Sequence, residues 1–164
     1  MKLIITKLTR PEQFNTVVTL ANQIWHEYFT PIIGRAQVEY MLEKFQSLDA
    51  ITQQTNEGFE YFLLMAGQKP IGYFSYILNN GQLFLSKFYI ICEQRNRGYG
   101  KLVIEFLEHT ALENNTHKIS LTINKYNFDS LQAYQTMGFV NQGAVIKDIG
   151  NGFIMDDYKM LKKL

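Results

Sequence analysis

The chain has 164 residues, 46% of them hydrophobic and 19% charged, which fits one globular domain over residues 1–164 and excludes a disordered or fibrous chain. A net charge of +1 excludes broad electrostatic capture of nucleic acid or of an anionic membrane, so any anion site must be local. Cys92 is the single cysteine, leaving no disulfide framework and no paired thiol ligands, and no apolar run is long enough to span a membrane. These features favour a cytoplasmic enzyme or binding protein. In chain order, "KLIITKLT" alternates as a first strand, and Thr9, Pro11 and Glu12 offer an N-cap, a first-turn proline and a capping-box acid. Phe14, Val17, Val18, Ala21, Ile24, Trp25 and Tyr28 recur at helical spacing, predicting one long amphipathic helix that ends before Pro31. "RAQVEYMLEKF" predicts a second helix, while "QSLDAITQQTNEG" fits neither period.

From Phe59 the pattern becomes a meander of strands, "FEYFLLMA", "IGYFSYIL" and "QLFLSKFYIIC", separated by "GQKP" and "NNG". A glycine loop, a helix over "KLVIEFLEHTALEN", a strand "KISLTIN" and a helix from near Asp129 to Gly138 follow. A last pair of strands surrounds "GNG". The strand-helix-strand unit over residues 85–124 calls for parallel neighbours, whereas the hairpins are antiparallel. The fold class is therefore α+β, or mixed α/β, with helices on both faces of a mixed sheet.

The segment "EQRNRGYGKL" leads from a strand through Gly98 and Gly100 into a helix. Such a turn suits a phosphate: the first helical N–H groups lack intrahelical partners, the helix dipole favours an anion, and glycine admits close approach. A Walker loop fails here, because position 95 is Arg and position 102 is Leu; a dinucleotide fingerprint fails at Val103.

Arg95-Asn96-Arg97-Gly98-Tyr99-Gly100 resembles the Gln/Arg-x-x-Gly-x-Gly/Ala motif of the GNAT acyltransferases. Downstream, "NKYNFDSLQAYQTMGFVNQG" is similar to a second segment of that family, with Asn127, Ser130, Tyr134, Gly138 and Phe139 at matching positions; Cys92 and Ser130 stand where Pro and Ala are usual. The resemblance implies a mostly antiparallel seven-stranded sheet with a central splayed parallel pair. It implies acetyl-CoA as donor, its pyrophosphate held by N–H groups of Arg95, Asn96, Arg97, Gly98, Tyr99, Gly100 and Lys101, and its arm beside Ile90, Ile91, Asn127 and Ser130. The resemblance further implies that main chain of Ile90 meets the thioester carbonyl and that Tyr134 protonates the leaving thiolate.

For Tyr134 the alternative use is a packed helix aromatic, and for Asn127 a helix cap or a turn. The acceptor implied is a primary amine of a small molecule, an amino acid or a peptide, and a homodimer is allowed. Trp25, His26, Tyr28 and Asp157 are the acceptor-side candidates, with core packing an equal alternative for Trp25 and Tyr28. Glu27, Glu39, Glu93 and Asp157 are candidates to take the amine's proton. The three histidines offer no ligand spacing, so no metal is expected. A non-catalytic acyl-CoA sensor or an interaction domain on the same fold is the competing function.

Overall fold

The computed structural model describes residues 2–164. Strand β1 (Leu3–Lys7) precedes helices α1 (Pro11–Tyr28), α2 (Thr30–Ile33), α3 (Arg35–Gln46) and α4 (Leu48–Asn56). Strands β2 (Glu60–Ala66), β3 (Lys69–Asn79) and β4 (Gln82–Ile90) follow, then a 3-10 turn at Cys92–Gln94. Helix α5 (Tyr99–Glu113), strand β5 (Lys118–Asn124), helix α6 (Phe128–Thr136) and strands β6 (Val140–Gly150) and β7 (Phe153–Lys163) complete the chain. The strand order is β1-β2-β3-β4-β5-β7-β6, a seven-stranded sheet in which β4 and β5 run parallel. This is the mixed α/β class expected from the order of elements, with the mostly antiparallel seven-stranded sheet that the resemblance implies. No helix among the described residues is long and apolar enough to cross a membrane.

The chain gathers into two compact units, one through Ile77 with Lys87–Tyr99, the other Leu78–Ser86 with Gly100–Leu164. In the first, β1 and β3 flank β2 in antiparallel register, Leu3 opposite Ala66 and Glu60 opposite Tyr76, with a bulge between Leu64 and Met65. Val17, Ala21 and Ile24 of α1, Val38 of α3 and Ile51 of α4 are fully or almost fully buried, as are Leu64, Ile71, Tyr73 and Phe74 of the strands. The ambiguous polar stretch is α4: Ser47 Oγ accepts from Ala50 N–H at 3.2 Å, and Ile51 is its one buried side chain. One apolar anchor per helix is too little for periodicity to register.

The start of α1 differs from expectation. Arg10 is the N-cap and Pro11 the first helical residue, while Gln13, not Glu12, closes the box by accepting from the N–H groups of Thr9 and Arg10 at 2.9 and 3.0 Å. Proline preset at the first helical position moves the cap one residue past Thr9.

In the second unit, β4 begins parallel to β5, with Leu83 opposite Ile119 and Phe84 opposite Ser120, and β7 lies antiparallel between β5 and β6. Val103, Ile104, Leu107 and Ala111 of α5 are buried together with Ile119, Leu121 and Met160. Lys162 of β7 is paired with Glu108 of α5.

Candidate functional site

In the first unit, the end of β4 is held by main chain and by one arginine. Ile91 N–H donates to Ile71 carbonyl at 2.9 Å, and Arg95 Nε donates to Ile90 carbonyl at 2.9 Å. The Arg95 guanidinium also lies 4.7 Å from the centre of the Tyr28 ring, so this arginine brackets the strand end instead of standing in solvent. Its own N–H donates to Cys92 carbonyl at 3.2 Å, and Arg97 reaches Glu93 carbonyl at 3.4 Å. The uncommitted N–H groups of an anion cradle therefore start after Arg95. Asn96 and Gly98 take φ of +60° and +81°, turning the chain into α5.

Gly98 is accounted for by its positive φ. Gly100 is not: it has no positive φ, it lies in the first turn of α5, and a Cβ built there would meet nothing within 4 Å. Glycine in a helix costs about 1 kcal/mol relative to alanine. Among the described residues neither packing nor backbone conformation requires glycine at position 100. Tyr99, between the two glycines, is buried.

In the second unit, Asn127 is the N-cap of α6, its Oδ1 accepting from Ser130 N–H at 3.4 Å, so the helix-cap use is realised. Gly138 has φ +95° just past the helix and Phe139 is buried. The Tyr134 ring packs edge-on against Phe139 at 5.4 Å. Burial pushes the Tyr134 phenol above its ordinary pKa, so it is protonated at neutral pH, and its hydroxyl makes no hydrogen bond to another described residue. Asp157, on β7 opposite Asn124, is buried, and its carboxyl is pushed up to about 6, first by burial and then by the neighbouring Asp156 charge.

The acceptor-side candidates diverge. Trp25 is buried, with its ring centre 4.4 Å from Phe29 and 5.5 Å from Tyr89, a packing role. His26 turns elsewhere: its Nδ1 lies 2.8 Å from Asn22 carbonyl, and it lines a cleft of about 380 Å³ with Glu39, Glu43 and Gln46. Tyr28 sits under Arg95. Of the acids, Glu27 and Glu93 are exposed and Glu39 is bound to Arg35 at 2.9 Å, leaving Asp157 as the one that is buried and raised.

Two features escaped the sequence. Gly72 in β3 faces Tyr89 carbonyl so closely that a Cβ would stand 2.4 Å from the oxygen; a glycine inside a strand was the available signal. Lys87 in β4 is buried, donating to Tyr61 hydroxyl at 2.6 Å, to Gln54 Oε1 at 2.8 Å and to Phe45 carbonyl. A lysine within an apolar strand run was the signal there. Among the described residues no group of three or more His, Cys, Asp or Glu side chains is placed to hold a metal.

A family model described as "Acetyltransferase (GNAT) family" matches residues 19–139. No curated protein matches the chain. Among solved structures, the paia N-acetyltransferase of Thermoplasma acidophilum in complex with coenzyme A is similar at TM-score 0.81 and 19% identity, covering 100% of each chain. A GNAT-family acetyltransferase of Staphylococcus aureus Mu50 gives 0.74 at 20% identity over 99% of each chain. The spermidine N-acetyltransferase of Vibrio cholerae with CoA and spermine gives 0.71 at 21% identity, over 98% of this chain and 95% of that one.

Proposed function

The chain belongs to the GNAT acetyltransferase family and is an acetyl-CoA-dependent acyltransferase, and we propose that its acceptor is the primary amine of a small molecule, an amino acid or a peptide. The observation that carries donor binding is Gly100, a helix-start glycine with open space over it and no demand from the protein's own packing. N–H groups from Asn96 to Lys101 hold the pyrophosphate in this reading, because the start of α5 offers unpaired donors and a favourable dipole. When bound, acetyl-CoA supplies an activated acyl group. Ile90 main chain, fixed by the Arg95 bracket on its carbonyl, presents an N–H to the acyl oxygen; a donor already in place needs no reorganisation as negative charge develops. Tyr134 holds the proton for the departing sulfur: its phenol stays protonated, and its hydroxyl has no competing partner among the described residues.

Asp157 is our choice for the group that takes or attracts the acceptor's proton. An alkylammonium has a pKa near 10.4 and must deprotonate to attack, and a buried carboxyl titrating near 6 is ionised at neutral pH and poorly solvated, so it binds a cation well. A polyamine acceptor accords with the Vibrio cholerae spermidine N-acetyltransferase among the similar structures. A cytoplasmic location accords with the lone exposed thiol of Cys92 and would fail if fractionation placed the protein elsewhere.

The test is a panel of spermidine, spermine, simple diamines, amino acids and peptide N-termini, read by thiol release from acetyl-CoA. At least one amine should be acetylated, and saturating acetyl-CoA should raise the melting temperature, since a ligand of the folded state stabilises it. Stabilisation by acetyl-CoA without turnover of any amine would favour the sensor. No stabilisation at all would remove donor binding.

A further inference from the structure

Lys87 is buried in β4 with 6% of its surface exposed, among groups that carry no negative charge. Its ammonium has three donors, and three acceptors from three elements meet it: Phe45 carbonyl in the last turn of α3, Gln54 Oε1 of α4 and the Tyr61 hydroxyl of β2. The first acceptor lies at a helix C-terminus, where the dipole favours a cation. The facing titratable group is Tyr61 on β2; Tyr73 on β3 is linked through Gln46, to which its hydroxyl donates at 2.9 Å. Burial holds both phenols above their ordinary pKa, so both stay neutral. α3 and α4 present only a carbonyl and an amide. Burial alone pushes the Lys87 amine down to about 7.

Stability does not explain the lysine. Phe45 carbonyl already receives Gln54 Nε2 at 3.1 Å, and Gln54 Oε1 already receives the Tyr61 hydroxyl. With the amine gone, no partner is left unsatisfied, and an unbranched apolar side chain of similar length would escape the desolvation cost. What the amine adds is direction: one atom ties α3, α4 and β2 to β4. Phe45 stands immediately before the α3–α4 corner and Gln54 in the last turn of α4 beyond it, and the corner residues Gln46, Ser47 and Leu48 line the cleft that His26 and Glu39 also face.

We propose that Lys87 is a positioning residue that fixes the α3–α4 corner, and with it the cleft lined by His26 and Glu39 as the place of the acceptor, at the expense of stability. The acceptor-side part rests on the amine acetylation proposed above; the corner-fixing part does not. Lys87→Met is the direct test. At pH 6 the variant should melt no lower than the wild type, while backbone amides of residues 45–56 exchange with solvent about tenfold faster or more, the scale of one lost charge-assisted bond. The sign with pH is set by the depressed amine. Between about 7 and 10.5 the unfolded chain binds more protons than the folded one, so the wild type gains stability as pH rises, and the variant's advantage at pH 6 should shrink toward pH 9.

Tyr61→Phe keeps the charge and removes an acceptor, and should lower the melting temperature at pH 6. On the best amine of the panel, Lys87→Met should raise the acceptor KM about tenfold and leave acetyl-CoA affinity unchanged. A variant that melts lower at pH 6 or fails to fold makes Lys87 a stabilising residue and overturns the proposal, as does unchanged exchange in residues 45–56. Faster exchange with an unaltered acceptor KM removes the acceptor-side part alone. If the wild type acetylates no amine, the proposed function fails while exchange and melting still decide the role of Lys87.

Discussion

In the β2–β3 hairpin, the hydroxyls of Tyr61, Tyr73 and Tyr76 donate to Gln54, to Gln46 at 2.9 Å and to Glu60 at 3.0 Å; in α6, the Tyr134 hydroxyl donates to no described residue. Burial holds all four phenols above the ordinary value. Among these four, a raised pKa therefore does not set Tyr134 apart, but an unengaged hydroxyl does. A phenol whose proton is committed to a neighbouring oxygen orders the core, whereas a protonated phenol without a partner is available to a leaving group. The surroundings of Tyr134 agree, since Asn127, Gly138 and Phe139 are each explained as cap, turn and anchor, and only the hydroxyl is left without a structural task.

The widest separation between these regions should come from the two phenylalanine substitutions. Tyr134→Phe should lower kcat on the order of a hundredfold with melting temperature and acetyl-CoA affinity kept, since only the donated proton is lost. Tyr73→Phe should do the reverse: Gln46 Oε1 loses its buried donor at a cost of about 1–3 kcal/mol of stability, with kcat near the wild-type value. Equal kinetic losses in the two variants would erase the distinction.

The next expected effect concerns Asp157, the buried carboxyl in the unit that carries Tyr134. Its folded pKa of about 6 lies above the unfolded 3.8, so the group favours folding below pH 4, and that contribution is lost as pH rises through 6. Asp157→Asn should match the wild type near pH 4 and exceed it by on the order of 2–3 kcal/mol above pH 7, checked by denaturant melts across that range. If the carboxylate also serves the acceptor, kcat/KM should fall below an apparent pKa near 6 in the wild type, and the variant should lose both that limb and most of its activity. A pH-independent difference in stability would show that Asp157 is not held in a desolvated state.

The strands and their turns were legible because alternation and turn residues act locally, and α6, expected from near Asp129 to Gly138, runs Phe128–Thr136 with Asn127 as its cap. Three things were not. The cap of α1 slid from Thr9 to Arg10, since the competing donors and the Pro11 backbone balance within one residue. Helix α4 hid because Ile51 alone anchors it. Lys87 and Gly72 depend on which strands and helices meet, and no local pattern encodes the carbonyl that Gly72 must clear or the acceptors that Lys87 finds. Of the candidate site, Gly98, Gly100 and Tyr134 were legible as residues, but their separation into turn geometry, open space and unengaged hydroxyl needed the structure.

Donor binding at Gly100 is tested most directly by calorimetric titration of acetyl-CoA into the wild type and Gly100→Val. A Cβ at Gly100 meets nothing within 4 Å, so the unliganded variant should fold, with at most the small penalty of a β-branched residue in the first helical turn. Its acetyl-CoA affinity should fall by about tenfold or more, because the added methyl groups occupy the approach to the first N–H groups of α5. A folded Gly100→Val protein that binds acetyl-CoA as tightly as the wild type would contradict the cradle.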